Sequence, residues 1–298
     1  MLLRLAPVLF VLIWSTGWIT ARAAAPYADP LTFLAARYAL AALALVAVML
    51  AFRIKLPSTP AMWVHGLFSG VLLHAIYLGG VWYVIAQGLA TPLSGLIAAL
   101  QPLLTAVLAV TWLAEHLTKR QWLGLALGFF GLVVALLPQL LSLEGEALTA
   151  ASWLIVINVV AMVSVTLGTL YQKRYLQGGD LRAIAFLQYL GATLATLPFA
   201  FLLEEMRFAL TLESGLVMVW SVLGLSLAAI GLLLLLIRHG AVSRVATLIY
   251  LIPPLVAVES FLLFGERLSL VAILGMTLTV LGVYLVNRSK SEEKAKAV

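Results

Sequence analysis

The 298-residue chain contains no cysteine, and only 10% of its residues are charged. Without cysteine the chain has no disulfide framework, no thiolate nucleophile and no cysteine metal site. The sequence also lacks the phosphate-binding loop of ATPases, the HExxH zinc motif and a nucleophile elbow. These absences argue against an enzyme, and the sequence predicts neither a cofactor nor a metal.

Apolar residues take the place of charged ones. They make up 64% of the chain, and the mean hydropathy is +1.12. A soluble chain has roughly 25% charged residues, so most side chains here must lie in hydrocarbon. The net charge of +6 comes from basic residues scattered between apolar runs. That pattern favours a membrane surface over a nucleic acid as the partner.

Charge clusters, prolines and glycines divide the chain into apolar runs. A transmembrane helix needs about 20 residues. Ten runs approach this length: 5–22, 31–52, 61–86, 91–114, 121–138, 151–172, 183–203, 214–237, 243–264 and 269–287. The first run resembles a signal peptide, but it contains two tryptophans and its removal would leave a repeat one helix short. We therefore expect it to be retained as the first helix.

The sequence repeats itself. Residues 88–136 align with 240–286 at an offset of 152 that drops to 151, and 29–38 align with 180–189 at 151. Each unit has five helices, and an odd number inverts the second unit in the membrane. We expect an all-α integral membrane protein whose ten transmembrane helices form two inverted five-helix repeats around a central cavity. The predicted boundaries are 1–146 and 147–287, followed by a charged, disordered cytoplasmic tail at 288–298.

Basic residues indicate the orientation. With ten spans, fourteen of the eighteen lysines and arginines lie on the side that holds both termini. Cytoplasmic loops carry such an excess of Lys and Arg. Both termini are therefore predicted to be cytoplasmic.

Few ionisable side chains lie within the runs, and each needs a partner or a wet cavity. Arg37 either captures an anionic group of a solute, such as a carboxylate, or has a structural role: it snorkels to the interface or clamps backbone carbonyls at helix ends. His74 either contacts a solute and exchanges protons with it, or bonds a neighbouring helix. Glu259 is either a proton-coupling acid, a role also open to His74, or a neutral carboxylic acid bonded to the backbone.

Aromatic and polar side chains mark the expected cavity. Trp14 and Trp18 lie one turn apart near the midplane, where their rings suit an apolar or aromatic solute better than a sugar phosphate. Ordinary packing is the alternative. In an α-helix Tyr77 shares a face with His74. The predicted substrate-binding residues are Trp14, Trp18, Arg37, His74, Tyr77, Gln101 and Tyr250.

Prolines and glycines inside the runs mark possible gates. Pro102 and Pro254 occupy equivalent repeat positions, and each removes a backbone hydrogen bond within a span. Gly79 and Gly80 permit a bend or close packing beside His74. These four residues are the predicted hinges.

Three stretches resemble a known family. One is Trp14-Ser-Thr-Gly-Trp-Ile followed by Leu34-Ala-Ala-Arg37-Tyr38; the others are the proline-containing helices that end Leu-Ala-Glu115-His-Leu-Thr and Phe-Gly-Glu266-Arg-Leu-Ser. Over residues 5–287 the chain resembles the drug/metabolite transporter superfamily, in its ten-helix EamA branch. The resemblance implies a helical basket with the fifth and tenth helices at the periphery. Arg37, Glu115 and Glu266 match the family's signature residues.

Within that family the chain is similar to exporters of aromatic and other neutral amino acids, which also expel some drugs. The resemblance implies a secondary transporter of small molecules that works by alternating access in a bacterial inner membrane. A multidrug or nucleotide-sugar carrier of the same fold is one alternative. Another is an intramembrane enzyme that acts on lipid with His74 and Glu259 as acid and base.

Overall fold

The computed structural model describes residues 2–101, 103–104, 107–108, 118–141, 145–176, 179–229, 231–232 and 252–296. Within these ranges the secondary structure is helical, apart from an isolated β-bridge between Ala28 and Phe208. Helices α1 to α10 run Leu2–Ala24, Pro30–Ala51, Pro60–Ala86, Thr91–Ile97, Lys119–Leu141, Gly145–Tyr175, Leu181–Leu203, Leu212–Ala228, Ile252–Phe264 and Leu270–Lys296. Each predicted run overlaps one of them.

Two of these helices change their hydrogen-bond pattern part-way along. Val71–Ile76 in α3 is π-helical and is called π1 here. Trp220–Ala228 in α8 is also π-helical and is called π2. The sequence repeat places the two segments at equivalent positions. A π-helix shifts each backbone bond by one residue, so the side chains that follow it point in new directions.

Local chemistry sets the helix ends. α2 and α3 begin at Pro30 and Pro60, whose fixed φ suits the first turn and whose missing N–H would have no helical partner there. Gly88 and Gly265 follow α3 and α9 with φ values of +96° and +69°, which glycine adopts without a Cβ clash. The Thr211 side chain caps the first turn of α8.

The helices suit a bilayer. Five segments are long and apolar enough to cross one, namely Pro30–Ala51, Pro60–Ala86, Lys119–Pro138, Leu148–Gln172 and Leu181–Leu203, and other apolar helices of the described chain are shorter. Large apolar side chains cover the outside, for example Leu50, Phe129 and Leu202, which are 75%, 62% and 78% exposed. Such a surface indicates contact with lipid. The chain is therefore an all-helical integral membrane protein.

Helices at equivalent positions of the sequence repeat contact each other. α2 packs against α7, α4 against α9, and α5 against α10. Between α5 and α10 a Cβ on Gly131 would lie 2.5 Å from the Thr279 nitrogen and 2.6 Å from the Gly275 carbonyl oxygen. Only glycine permits two backbones to approach so closely. α10 makes its main contact with α5, in line with the peripheral position implied for this pair.

Connections from both halves meet at one end of the bundle. In the α1–α2 connection, the Asp29 N–H donates to the carbonyl oxygen of Arg207 in the α7–α8 connection, at 3.0 Å. Glu204 accepts hydrogen bonds of 2.8 Å from the N–H groups of Leu31 and Thr32 in the first turn of α2. A carboxylate is favourable there because the first turn leaves N–H groups unpaired.

Glu266, one of the family-signature residues, lies at the same end. Its carboxylate accepts from the Thr91 N–H at the start of α4 (3.1 Å) and lies 3.3 Å from Nε of Arg22, near the end of α1. At the opposite end, the Arg182 guanidinium carbon lies 5.8 Å from the ring centroid of Phe52, so the α6–α7 connection lies near the α2–α3 connection. Glu115 falls outside the described residues.

Two expectations from the sequence are wrong. The tail was expected to be disordered, but residues 288–296 continue α10. Its glutamate, lysine and alanine residues are good helix formers, and an existing helix removes the cost of nucleation. The fifth and sixth runs, predicted at 121–138 and 151–172, are also too short, because α5 ends at Leu141 and α6 begins at Gly145.

Candidate substrate site

Arg37 on α2 is the centre of the candidate site. Its side chain is buried, with the residue only 5% exposed. Its Nε donates to the Ser226 hydroxyl in π2 at 3.2 Å, and its guanidinium carbon lies 5.9 Å from the ring centroid of Trp82 on α3. Among the described residues no carboxylate lies within ion-pair distance of Arg37. A buried guanidinium without a counter-ion is suited to take one from a solute.

An aromatic group lies beside this charge. The His74 ring stacks on Tyr189 with centroids 4.6 Å apart and planes 21° apart. Tyr38 lies 5.9 Å from His74 and 6.1 Å from Tyr189. Tyr38 follows Arg37 directly on α2, while Tyr189 comes from α7, so both halves contribute rings. Stacked rings offer an apolar surface that suits another ring or an aliphatic chain.

Each of the two tyrosines donates a hydrogen bond to one of the π-helices. The Tyr38 hydroxyl donates to the His74 carbonyl in π1 at 3.0 Å, and the Tyr189 hydroxyl donates to the Ser226 carbonyl in π2 at 3.4 Å. The tyrosines are 151 residues apart and their acceptors 152, the two offsets of the sequence repeat. The same bond is therefore made once in each half. π-helical segments frequently lie at functional sites.

The His74 imidazole has a free nitrogen. Its Nδ1 is buried and has no hydrogen-bond partner in the described part of the chain. An unpaired buried polar atom costs free energy, so it commonly marks a place where water or a ligand binds. A neutral imidazole nitrogen can donate or accept, according to its tautomer.

The structure brings some of the predicted residues together. Arg37 and His74 both border the tyrosine pair. Tyr77 is buried just after π1, so the α-helical spacing that placed it on the His74 face does not hold through the preceding turn. On α1, the Trp18 indole N–H is buried and has no partner among the described residues, while Trp14 packs on Phe10 with centroids 5.2 Å apart.

Other predicted residues lie further along α4 and α9. Gln101 is half-buried. Pro254 lies in the first turn of the described part of α9. Pro102 and Tyr250 lie outside the described residues. The predicted central cavity would draw its lining partly from 102–117 and 233–251, most of which the structure does not describe. A separate cavity of about 400 Å³ lies at the end of the bundle where Arg22 and Glu213 line it.

Gly79 and Gly80 belong to the α-helical part of α3 that follows π1. A Cβ on Gly80 would lie 2.9 Å from the Ala161 Cβ on α6, so this glycine permits close helix packing. The departure from α-helical geometry in α3 lies at Val71–Ile76 instead. A hinge role for the two glycines stays a prediction.

Glu259, the predicted proton-coupling acid, contacts the first helix. Its Oε1 lies 2.7 Å from the Ser15 hydroxyl on α1. Its Oε2 is buried and has no hydrogen-bond partner within the described ranges. Glu259 therefore bonds a side chain of a distant helix rather than the backbone of its own.

Sequence reasoning did not assign Tyr38, Tyr189, Trp82, Ser226 or Ser15 to the site. A signal existed for the tyrosines, because they follow Arg37 and its repeat partner Gln188 at the same offset. Ser226 gave no such signal, since its importance depends on a contact with a residue 189 positions away.

A family comparison covers both halves of the chain. The model of the EamA-like transporter family matches residues 4–137 and again residues 151–288. The chain belongs to the EamA-like transporter family. Its members are transporters, so a small-molecule substrate in a membrane setting follows from the membership.

Individual EamA-like relatives cover nearly the whole chain. The uncharacterized transporter YvbV of Bacillus subtilis is 28% identical over 97% of this chain and 92% of its own length. A probable amino-acid metabolite efflux pump of Salmonella typhimurium is 22% identical over 93% of this chain and 92% of its own. A crystal structure superposes with a TM-score of 0.64 at 18% identity, covering 95% of this chain and 96% of that one. The last likeness concerns the fold alone.

Proposed function

We propose that this transporter exports aromatic and other neutral amino acids, with related small metabolites, by alternating access. The observation that carries the proposal is the buried Arg37 charge, which has no carboxylate partner in the described chain and lies beside aromatic rings. A carboxylate would pair with the guanidinium in a charge-assisted hydrogen bond. A ring or aliphatic side chain would lie against Trp82, Tyr38 and Tyr189.

The chemistry of Arg37 also disfavours other solutes. A cationic drug would be repelled by a buried positive charge in apolar surroundings. A sugar phosphate would bring more negative charge than one guanidinium neutralises. The name of the Salmonella relative, a probable amino-acid metabolite efflux pump, supports the same substrate class.

Alternating access would follow from an inverted repeat. The α1–α2 connection contacts the α7–α8 connection at one end, whereas the α2–α3 and α6–α7 connections approach each other at the other end. The repeat makes α1–α2 equivalent to α6–α7, so equivalent connections lie at opposite ends of the bundle. This arrangement supports two halves of opposite orientation that rock about the site between them.

The proposed site takes Arg37, His74 and Tyr77 from the first half, with Trp14 and Trp18 on α1. Gln101 and Tyr250 would add polar groups from the runs that carry the gate prolines Pro102 and Pro254. Gly79 and Gly80 would ease movement of α3 against α6. In a bacterial inner membrane with both termini in the cytoplasm, the Arg22 and Glu266 end would face outward.

Counterflow of radiolabelled L-phenylalanine in proteoliposomes tests the proposal. Arg37→Gln should lower the initial rate about ten- to hundredfold, because a hydrogen bond to a charged group contributes about 1.5–3 kcal/mol. Phenethylamine, which has the ring and no carboxylate, should not compete with L-phenylalanine in the wild type.

Arg182→Gln is the matched control, since it makes the same chemical change at an exposed arginine. Its rate should stay within about twofold of the wild type, as expected for exposed ion pairs. The elution volume and melting temperature in detergent establish that each variant is folded. Full phenylalanine counterflow by a folded Arg37→Gln protein would contradict the proposed site.

A further inference from the structure

Glu259 is a half-buried acidic side chain in the middle of the apolar helix α9, and it makes a short contact with α1. Its Oε1 lies 2.7 Å from Ser15 Oγ, and Ser15 has no exposed surface. Carboxyl groups inside a membrane are rare and need a partner or a role. The Ser15 contact supplies one partner.

The Ser15 hydroxyl has a second short contact, at 2.9 Å from the Leu12 carbonyl oxygen on its own helix. A hydroxyl has one hydrogen to donate. The Leu12 carbonyl and an ionised carboxylate can both only accept. One hydrogen shared between two acceptors makes two weakened bonds, whereas a proton on Glu259 completes both contacts. In that arrangement Glu259 donates to Ser15 Oγ, and Ser15 donates to Leu12.

We infer that Glu259 carries a proton in this conformation and that its release and uptake couple substrate export to the proton gradient. The inference rests on the proposed export of amino acids. When Glu259 loses its proton to water, the Ser15 hydrogen must turn from Leu12 to the carboxylate. The charge then lies between two apolar helices, which favours separation of α9 from α1 and exposure of Glu259 to water.

In the described chain, the helices packed against α9 place no other titratable side chain beside Glu259. α9 packs against α1 and α4. The described segment of α4 has no titratable side chain. On α1 the described titratable group is Arg22, which pairs with Glu266 and lies seven residues from Ser15, about 10 Å along the helix. The Arg4 side chain is outside the described part.

Two further buried groups suit a site that opens to water. The Ser260 hydroxyl follows Glu259, and the Trp18 indole N–H lies three residues beyond Ser15 on the same helix. Neither has a hydrogen-bond partner within the described residues. Residues three apart share a helix face, so Trp18 lies on the Ser15 side of α1. A conformation that admits water would supply partners for both groups.

Transport assays in proteoliposomes measure the coupling between protons and substrate directly. A pH difference of about one unit should drive up to about tenfold accumulation of radiolabelled L-phenylalanine if one proton is exchanged per molecule. Counterflow at equal pH measures transport without coupling. Glu259→Gln keeps a hydrogen-bond donor for Ser15 but cannot ionise, so the ratio of pH-driven accumulation to counterflow should fall about tenfold. Glu205→Gln removes an exposed carboxylate and should keep the ratio of the wild type.

Binding in detergent gives a second measurement. Adding L-phenylalanine to unbuffered wild-type protein should release about one proton per molecule bound, and Glu259→Gln should release none. Ser15→Ala should still release the proton on binding L-phenylalanine, but the pH midpoint of this release should shift. Wild-type counterflow without any pH-driven accumulation would overturn the inference and leave the proposed function standing. Absence of wild-type counterflow would remove the proposed function. An unchanged coupling ratio in Glu259→Gln, or an unchanged midpoint in Ser15→Ala, would also contradict the inference.

Discussion

The two halves share backbone hydrogen bonds and differ in the side chains that surround them. Tyr38 and Tyr189 each donate to a carbonyl of the π-helix in their own half. The carbonyls belong to His74 in the first half and to Ser226 in the second. An imidazole in one half thus takes the place of a hydroxyl in the other, and the Arg37 guanidinium contacts that hydroxyl.

Arg37 and Gln188 are equivalent in the repeat and have different partners. The Gln188 amide nitrogen donates to the Ser69 hydroxyl at 3.1 Å and to the Gln172 side-chain oxygen at 3.0 Å. These neutral groups satisfy Gln188 within the protein. Arg37 carries a charge that the described protein groups do not neutralise. The repeat therefore preserves the backbone hydrogen bonds, and its divergent positions put the buried charge of the proposed site in the first half.

The strongest test of this difference moves the charge. Gln188→Arg places a second buried guanidinium beside neutral partners, and we expect a loss of roughly 3 kcal/mol in stability, the cost of an arginine at the centre of a membrane helix. Arg37→Gln should not lower the melting temperature, because it removes a buried charge that has no carboxylate partner among the described residues. Thermal unfolding in detergent measures both. Equal melting of Gln188→Arg and the wild type would show that the second half tolerates charge as well as the first.

The next test makes π1 resemble π2. His74→Ser should slow L-phenylalanine counterflow about tenfold, because it removes a stacked ring and a hydrogen-bonding nitrogen, together about 1.4 kcal/mol. Folding should be preserved, as the tyrosine bonds to the backbone carbonyl. His65→Ser, at the start of the same helix, is the control and should stay within about twofold, since its partner Tyr171 lies outside the candidate site. Unchanged transport by folded His74→Ser would remove His74 from the pocket.

The length of the apolar runs was sufficient to predict the helices, and recurring motifs were sufficient to predict the repeat. Both are local signals in the sequence. The sequence also marked Arg37 and His74 as candidates, since an ionisable residue in an apolar run is conspicuous, and their role in substrate binding stays a prediction. The π-helices were not predictable, because an α-helical period was assumed throughout and a π-helix changes it within one turn. Pairings such as Ser15 with Glu259 depend on helix register across 244 positions. The disorder predicted for the tail is wrong because its helix-forming residues extend α10 despite their charge.

A third test compares the tyrosine bonds themselves. Tyr38→Phe and Tyr189→Phe each remove one hydroxyl and should lower the free energy of unfolding by about 1 kcal/mol. The shorter bond, 3.0 Å against 3.4 Å, predicts the larger loss for Tyr38→Phe. Tyr38 also orients the His74 backbone, so its variant should slow counterflow more than its equivalent does. Thermal unfolding and counterflow of the same samples measure both effects. Equal slowing by the two variants would show that neither half dominates the site.

The smallest expected effect concerns the aspartates that precede α2 and α7. Asp29 contacts Arg207 of the other half, whereas its repeat equivalent Asp180 binds Arg182 two residues on. The Arg182 side chain donates to the Asp180 carboxylate and holds the pKa of Asp180 below its usual range, with the Arg182 N–H adding to the effect.

A lowered pKa in the folded state stabilises the protein above the unfolded pKa of about 3.9, and this stability is lost as the pH falls below that value. The pair is exposed, so solvent limits its contribution to less than about 1 kcal/mol. Asp180→Asn should therefore unfold slightly more easily than the wild type at pH 7, and the difference should shrink toward zero near pH 3. Chemical denaturation at the two pH values measures it. A difference that grew on acidification would show that Asp180 is not stabilised as a carboxylate by Arg182, and the two equivalent aspartates would then differ only in the half that they contact.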